Sequence, residues 1–326
     1  MLIFIVTPHR PWPSGALDEL YPNFTNTRDL ILHTLLLIVQ IVLIVTVLIF
    51  LATFLVFPVV VPVVFFGLFW LVTVVILRLL NGPPTSQSLV GVPSDGTPVN
   101  DESELWFFIN GIGTGKGLLL DLVECLIQRD LDYKTRDIRQ GRAQIRAALK
   151  SQNTKKVVLI AHSQGGIVAC SIIDWLFGEL SHKTMRKLEV YTFGNAARHF
   201  RNPPLDASNA NSKQQEEQGD TEPVIKYIEH YANSEDFVAN IGVLEFTSPM
   251  AKYTSTSLFS GAVFRREGSG HLLNLHYLDA MFDKQDDFMN TKIPVSRQDA
   301  PDGIIMKPIG ELSRLFRYKN GQHPEE

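Results

Sequence analysis

From Leu30 to Leu77 the sequence contains no charged residue, and Leu, Val, Ile and Phe dominate. A soluble core does not require an uncharged run of that length, whereas about 20 apolar residues suffice to cross a bilayer. Pro58 and Pro62 divide the run, because proline removes a backbone donor and interrupts helices. Two helices are therefore expected, Leu30 to Phe57 and Val59 to Leu80, joined by a turn that offers nothing preferring water. Two full spans and a hairpin dipping into one leaflet both fit, and both leave the chain ends on one side. Arg10, Arg28 and Arg78 flank the run while its tip carries no positive charge, so the positive-inside bias puts both ends in the cytoplasm. The Asn23-Phe24-Thr25 sequon would matter only on a lumenal face. Met1 to Val6 lacks a basic leader and a small-residue cleavage site, which argues against a removable signal peptide. His33 and Gln40 are expected on one face of the first helix, with His33 near the interface.

With 326 residues, the chain has room for a sizeable domain beyond the hairpin. The expected division is an N-terminal segment over 1–29, the hairpin over 30–80, a Gly, Pro, Ser and Thr-rich linker over 81–101, an α/β domain over 102–290 and a C-terminal tail over 291–326. A net charge of -4 without a basic cluster gives no reason to expect a nucleic-acid partner. Cys125 and Cys170 fall in expected helices and read as small core residues in a reducing compartment, with no disulfide framework or metal motif.

The second constraint is Val157-Val158-Leu159-Ile160-Ala161-His162-Ser163-Gln164-Gly165-Gly166. An apolar strand turns at a serine into the apolar helix Ile167 to Phe177, and the turn nearly matches Gly-x-Ser-x-Gly. A nucleophile on so sharp a turn tolerates only small residues two before and two after it. Ala161 and Gly165 both qualify, although Ala161 departs from the usual glycine by one methyl. Upstream, the strand Leu105 to Asn110 runs into Gly111-Ile112-Gly113-Thr114-Gly115. A phosphate cradle fits this loop poorly, because Lys116 does not complete a P-loop. The loop fits better as one side of an oxyanion hole, with the amide of Gly111 or Ile112 joining that of Gln164.

Helices are expected over Leu118 to Leu131 and Asp137 to Leu149, and strands over Leu188 to Phe193, Val224 to Tyr231 and Ser257 to Arg266. Residues 202–222 form a polar insertion whose composition cannot fill a core. Asn233-Ser234-Glu235-Asp236 follows one strand, and Gly268-Ser269-Gly270-His271 leads from the last strand into a helix over Leu272 to Phe282. A serine hydroxyl needs an imidazole to take its proton and a carboxylate to orient that imidazole. The chain supplies Ser163, then Asp236 after the second following strand, then His271 after the third, the order used by α/β-hydrolases. Glu235 is the alternative acid and His276 the alternative base; His162 and His230 read as structural neighbours.

The segments Ala-His-Ser-Gln-Gly-Gly, Tyr-Thr-Phe-Gly-Asn, Asn-Ser-Glu-Asp-Phe-Val and Gly-His-Leu-Leu-Asn-Leu-His-Tyr-Leu resemble the corresponding parts of lipase-like α/β-hydrolases, especially a group of fungal membrane-anchored ones. The resemblance covers about Trp106 to Phe282. It implies an α/β-hydrolase fold with a mostly parallel sheet, Ser163 as nucleophile, Asp236 as orienting acid and His271 as general base. One departure is visible: relatives place a strand between the oxyanion-loop strand and the nucleophile strand, whereas Gly111 to Thr154 shows only helical patterns. The expected function is a membrane-anchored serine hydrolase acting on carboxylic esters, of lipids above all, with no metal or organic cofactor. An acyl thioesterase is the alternative enzyme, and a catalytically impaired protein binding a lipid or protein partner is the alternative outside catalysis.

Overall fold

The computed structural model describes residues 26–53, 60–81, 103–111, 118–205, 222–247, 259–282, 287–297, 300–322 and 324. They divide into two compact units.

The larger unit is α/β. Five parallel strands lie in sequence order: β1 (Glu104–Ile109), β2 (Lys156–His162), β3 (Leu188–Phe193), β4 (Tyr227–Asn233) and β5 (Ala262–Arg266). β1 pairs directly with β2 along its whole length, from Glu104 opposite Lys156 to Ile109 opposite Ala161. Among the described residues no strand intervenes, as the helical patterns between Gly111 and Thr154 require. Two strand expectations shift by a few residues. Val224 to Tyr231 becomes Tyr227–Asn233, and the last strand begins at Ala262, with Phe259 in an isolated bridge to Phe200. Parallel strands are covered on both faces, so β2 and β3 read as apolar runs.

Alternate residues divide the faces. Val157, Leu159, Leu188, Val190 and Ile228 are buried on the side of α4 (Arg136–Lys150) and α5 (Gly165–Phe177), which bring Ile138, Ile145, Leu149, Ile172 and Leu176 into the core. Val158, Tyr191, Phe193, Tyr231 and Phe264 point the other way, into a cluster with Tyr277, Met281, Phe288, Ile309 and Leu315.

That second cluster corrects the reading of 291–326 as a tail. A hairpin of β6 (Lys292–Arg297) and β7 (Ala300–Pro308) leads to a segment whose Ile309, Ser313 and Arg314 are buried. The segment is held by strand carboxylates. Arg314 Nε donates to Glu189 Oε1 at 2.8 Å, and the amides of Arg314 and Leu315 donate to Glu229 at 2.6 and 3.2 Å. Tyr191 and Tyr318 hydroxyls donate to Glu189, each at 2.7 Å, and Tyr231 donates to Glu229 at 2.5 Å. Burial still holds the Glu229 carboxyl above its ordinary value. Of the polar insertion, residues 206–221 lie outside the described residues; its ends are pinned by a bridge between Pro204 and Pro223 and by the Leu205 amide on Glu222 O.

The smaller unit contains α1 (Thr27–Thr53), α2 (Val60–Asn81) and the first part of α3 (Leu118–Leu131). α1 and α2 are long and apolar enough to cross a membrane. They form a hairpin in which the Arg28 guanidinium donates to Leu79 O at 3.1 Å near one end, while Phe50 meets the rings of Phe65 and Phe66 towards the other. Leu36, Gln40, Thr73 and Ile76 are buried, whereas most other apolar residues are exposed. His33, expected to share a face with Gln40, is exposed while Gln40 is buried.

Candidate active site

Ser163 lies where β2 ends and α5 begins, at φ +59°, a left-handed conformation that L residues rarely adopt. Its amide donates to Phe193 O at 2.9 Å, and its carbonyl accepts from the amides of Gly166 and Ala196, so backbone bonds on both sides hold the turn. The turn is crowded. A Cβ on Gly165 would lie 2.2 Å from Ile109 O, which explains why only glycine fits two residues after the serine. Two residues before it, the Ala161 methyl is fully buried in the sheet and meets no such limit.

The structure brings His271 and Asp236 to this serine from the ends of β5 and β4. His271 Nε2 lies 2.8 Å from Ser163 Oγ, and His271 Nδ1 lies 2.7 Å from Asp236 Oδ2. Asp236 also caps the short helix Phe237–Ile241 by accepting from the Val238 amide at 2.9 Å. Tyr277 completes its environment by donating to Oδ2 at 2.5 Å. Burial alone would push the Asp236 carboxyl up, but the bonds from His271, Tyr277 and Val238 outweigh it and hold the carboxyl below its ordinary value. An ionised Asp236 accepts from His271 Nδ1–H, which leaves Nε2 bare to accept from the Ser163 hydroxyl.

The alternatives are placed elsewhere. Glu235 is exposed, with its amide bonded to Gly268 O at 2.9 Å. His276 uses Nδ1 to accept from the Leu272 amide at 2.9 Å, inside a π-helical stretch (Leu273–Leu278) where an α-helix was expected. His162 donates from Nε2 to the His271 carbonyl at 2.7 Å, and its ring lies 4.8 Å from that of His271. Burial, then the charge of His271, lowers its pKa to about 4, so it is neutral near pH 7. His230 is also held to about 4 by burial, between Thr192 Oγ1 and Ser260 O.

The expected oxyanion donors differ in outcome. The Gln164 amide has no hydrogen bond among the described residues, and its side chain is fixed by Gln128 at 2.8 Å, which in turn donates to Thr135 at 2.9 Å. Gly111 comes so close to the serine that a Cβ there would lie 2.5 Å from Ser163 Cβ and 3.0 Å from Oγ. Its amide, however, donates to Asn110 Oδ1 at 2.8 Å. Ile112 lies outside the described residues. Tyr277 and Gln128 escaped sequence reasoning. A tyrosine and a glutamine within apolar helical patterns carry no signal until the fold shows what each faces.

Among the described residues one cluster offers metal-type donors: Cys170, Asp174 and His199 place one donor atom each within 4.8 Å of one another. These groups satisfy each other, with His199 Nε2 2.8 Å from Asp174 Oδ2 and the Cys170 thiol donating to His199 O at 3.0 Å. Burial pushes the Cys170 thiol up, away from the thiolate a metal would need. At Ser163 the arrangement can deprotonate a hydroxyl through an oriented imidazole and so make a nucleophile. No family model matches this chain, and no curated protein matches it.

Proposed function

We propose that the protein is a membrane-anchored serine hydrolase of the α/β-hydrolase class that cleaves carboxylic esters, lipid esters in particular, through an acyl-enzyme. The observation that carries this reading is Ser163 at positive φ, 2.8 Å from a histidine that is itself 2.7 Å from a buried aspartate. Strand-to-helix turns that serve packing alone have no need of a strained serine aimed at an oriented imidazole.

In this mechanism His271 Nε2 takes the proton as Ser163 Oγ attacks the acyl carbonyl carbon, and the carbonyl electrons move onto oxygen. The Gln164 amide stabilises that oxyanion. Collapse expels the alcohol, protonated by His271, and leaves the acyl group on Ser163. Water, deprotonated by the same imidazole, then releases the acid. Asp236 keeps the imidazole in its tautomer throughout; losing that role costs serine hydrolases roughly 10⁴ in rate. The hairpin holds this chemistry where acyl chains are concentrated, with the soluble domain facing the cytoplasm on the side of Arg28 and Arg78. A thioester would react by the same steps.

A second reading, a hydrolase-shaped protein without activity, is favoured by the Gly111 amide being engaged by Asn110. Fluorophosphonate labelling of the full-length protein in detergent separates the two. Labelling of the wild type that is lost in Ser163→Ala, and lost in His271→Ala but kept in His276→Ala, supports the enzyme. No labelling of a folded wild type refutes it.

A further inference from the structure

α3 is built inside out. Asp121, Cys125 and Gln128 are buried, while Leu120, Leu122, Val123, Leu126, Ile127 and Leu131 are exposed, Val123 by 52% and Leu131 by 74%. A surface helix in water shows the reverse pattern, with its apolar stripe on the core. A helix against lipid turns polar groups inward and leucines outward.

The start of α3 shows where that lipid would be. The Leu119 amide donates to Gln40 Oε1 at 3.2 Å. Gln40 sits midway along α1, thirteen residues from Thr27 and thirteen from Thr53, or about 20 Å from either end. In a helix that spans the bilayer, this position is near the midplane. An amide in the first turn of a helix has no partner within that helix. In water it needs none, but in hydrocarbon an unsatisfied one costs several kcal/mol, and Gln40 supplies the acceptor. From Leu119 to Arg129 the helix rises about 15 Å, half the hydrocarbon thickness. Arg129 and Asp130, its first charged residues after Glu124, then arrive at headgroup depth.

We propose that α3 is a third intramembrane helix, running from the bilayer midplane beside α1 to the headgroup region, with its exposed leucines covered by lipid acyl chains. The proposal rests on the reading of α1 as a bilayer-spanning helix. It adds to the anchor a part of the chain that belongs neither to the hairpin nor to the linker.

The test is spin-label accessibility in phosphatidylcholine vesicles. Full-length protein with Cys125→Ala and Cys170→Ala carries one label at a time, at Leu122→Cys, Val123→Cys or Leu126→Cys, with Ile44→Cys on α1 as reference. Each variant must keep the thermal transition of the parent; these exposed positions leave packing intact, and any two of the three suffice. Oxygen partitions into hydrocarbon and a nickel chelate into water. The expected result is oxygen access exceeding nickel access at all α3 positions and at Ile44. Nickel-dominated access on α3 with oxygen-dominated access at Ile44 overturns the proposal while leaving the anchor standing. Nickel-dominated access at Ile44 removes the anchor itself and the proposal with it. Low access to both reagents on α3, with spin–spin broadening, means that a second copy covers the helix and also overturns the proposal.

Discussion

Replacing Ser163 with glycine should give a protein more stable than replacing it with alanine, although neither can react. Both substitutions remove Oγ and its bond to His271, so that loss cancels in the comparison. What differs is the Cβ, held at φ +59°. The left-handed conformation costs an L residue about 1–2 kcal/mol, and glycine's extra freedom in the unfolded chain returns about 0.5–1 kcal/mol of that. The net gain for Ser163→Gly over Ser163→Ala is therefore about 0.5–1 kcal/mol. For a domain of this size it corresponds to a rise in Tm of about 2 °C. The assay is denaturation of both detergent-solubilised variants, followed by circular dichroism, with fluorophosphonate labelling to confirm that both are inert. A glycine variant no more stable than the alanine variant would refute the claim that the fold stores strain at the nucleophile. It would also weaken the argument that the turn exists to present a reactive group.

Gly111→Ala places a methyl 2.5 Å from Ser163 Cβ and should slow labelling by about tenfold or more, since displacement of a reacting atom by about 1 Å can cost a hundredfold; unchanged labelling would show that the loop yields. Glu235→Gln should keep wild-type labelling and Asp236→Asn should lose it, because only Asp236 meets His271. His162 and His230 are held at about 4 against an ordinary 6.5. The unfolded chain therefore binds more protons between those values, so stability should fall as pH drops from 6.5 towards 4, by up to about 3 kcal/mol per site; a denaturation midpoint that stays flat from pH 6.5 to 5 would contradict this. Arg314→Met leaves Glu189 buried without its guanidinium and should cost about 3–5 kcal/mol in denaturation experiments.

The strands at the centre of the sheet were legible because buried parallel strands are written as short apolar runs, and Val157 to His162 and Leu188 to Phe193 are bounded by clear turn residues. The meeting of Ser163, Asp236 and His271 was legible from their order in the chain, each after a strand, although only the strand before Ser163 is an apolar run. Three features were not. The π-helical stretch around His276 follows from packing rather than propensity, since Leu272 to Phe282 has an ordinary helical pattern. The burial of Ile309 and of Ser313 to Leu315 is masked by Arg314, which reads as a surface residue until Glu189 and Glu229 are known to wait on neighbouring strands. α3 was read correctly as a helix, but periodicity does not say which face is inside, and its polar face is the buried one.

The C-terminal segment gives the protein a form of timing. Ser163 and the apolar helix after it are translated well before Ile309, Arg314 and Leu315, which complete the cluster that also holds Tyr277. Until those residues arrive, Glu189 and Glu229 face the underside of the sheet without their guanidinium and amide partners, and the stretch carrying Tyr277, which braces Asp236, has no floor. On the proposed function, Ser163 would therefore gain its fully braced base only when the sheet is closed from below.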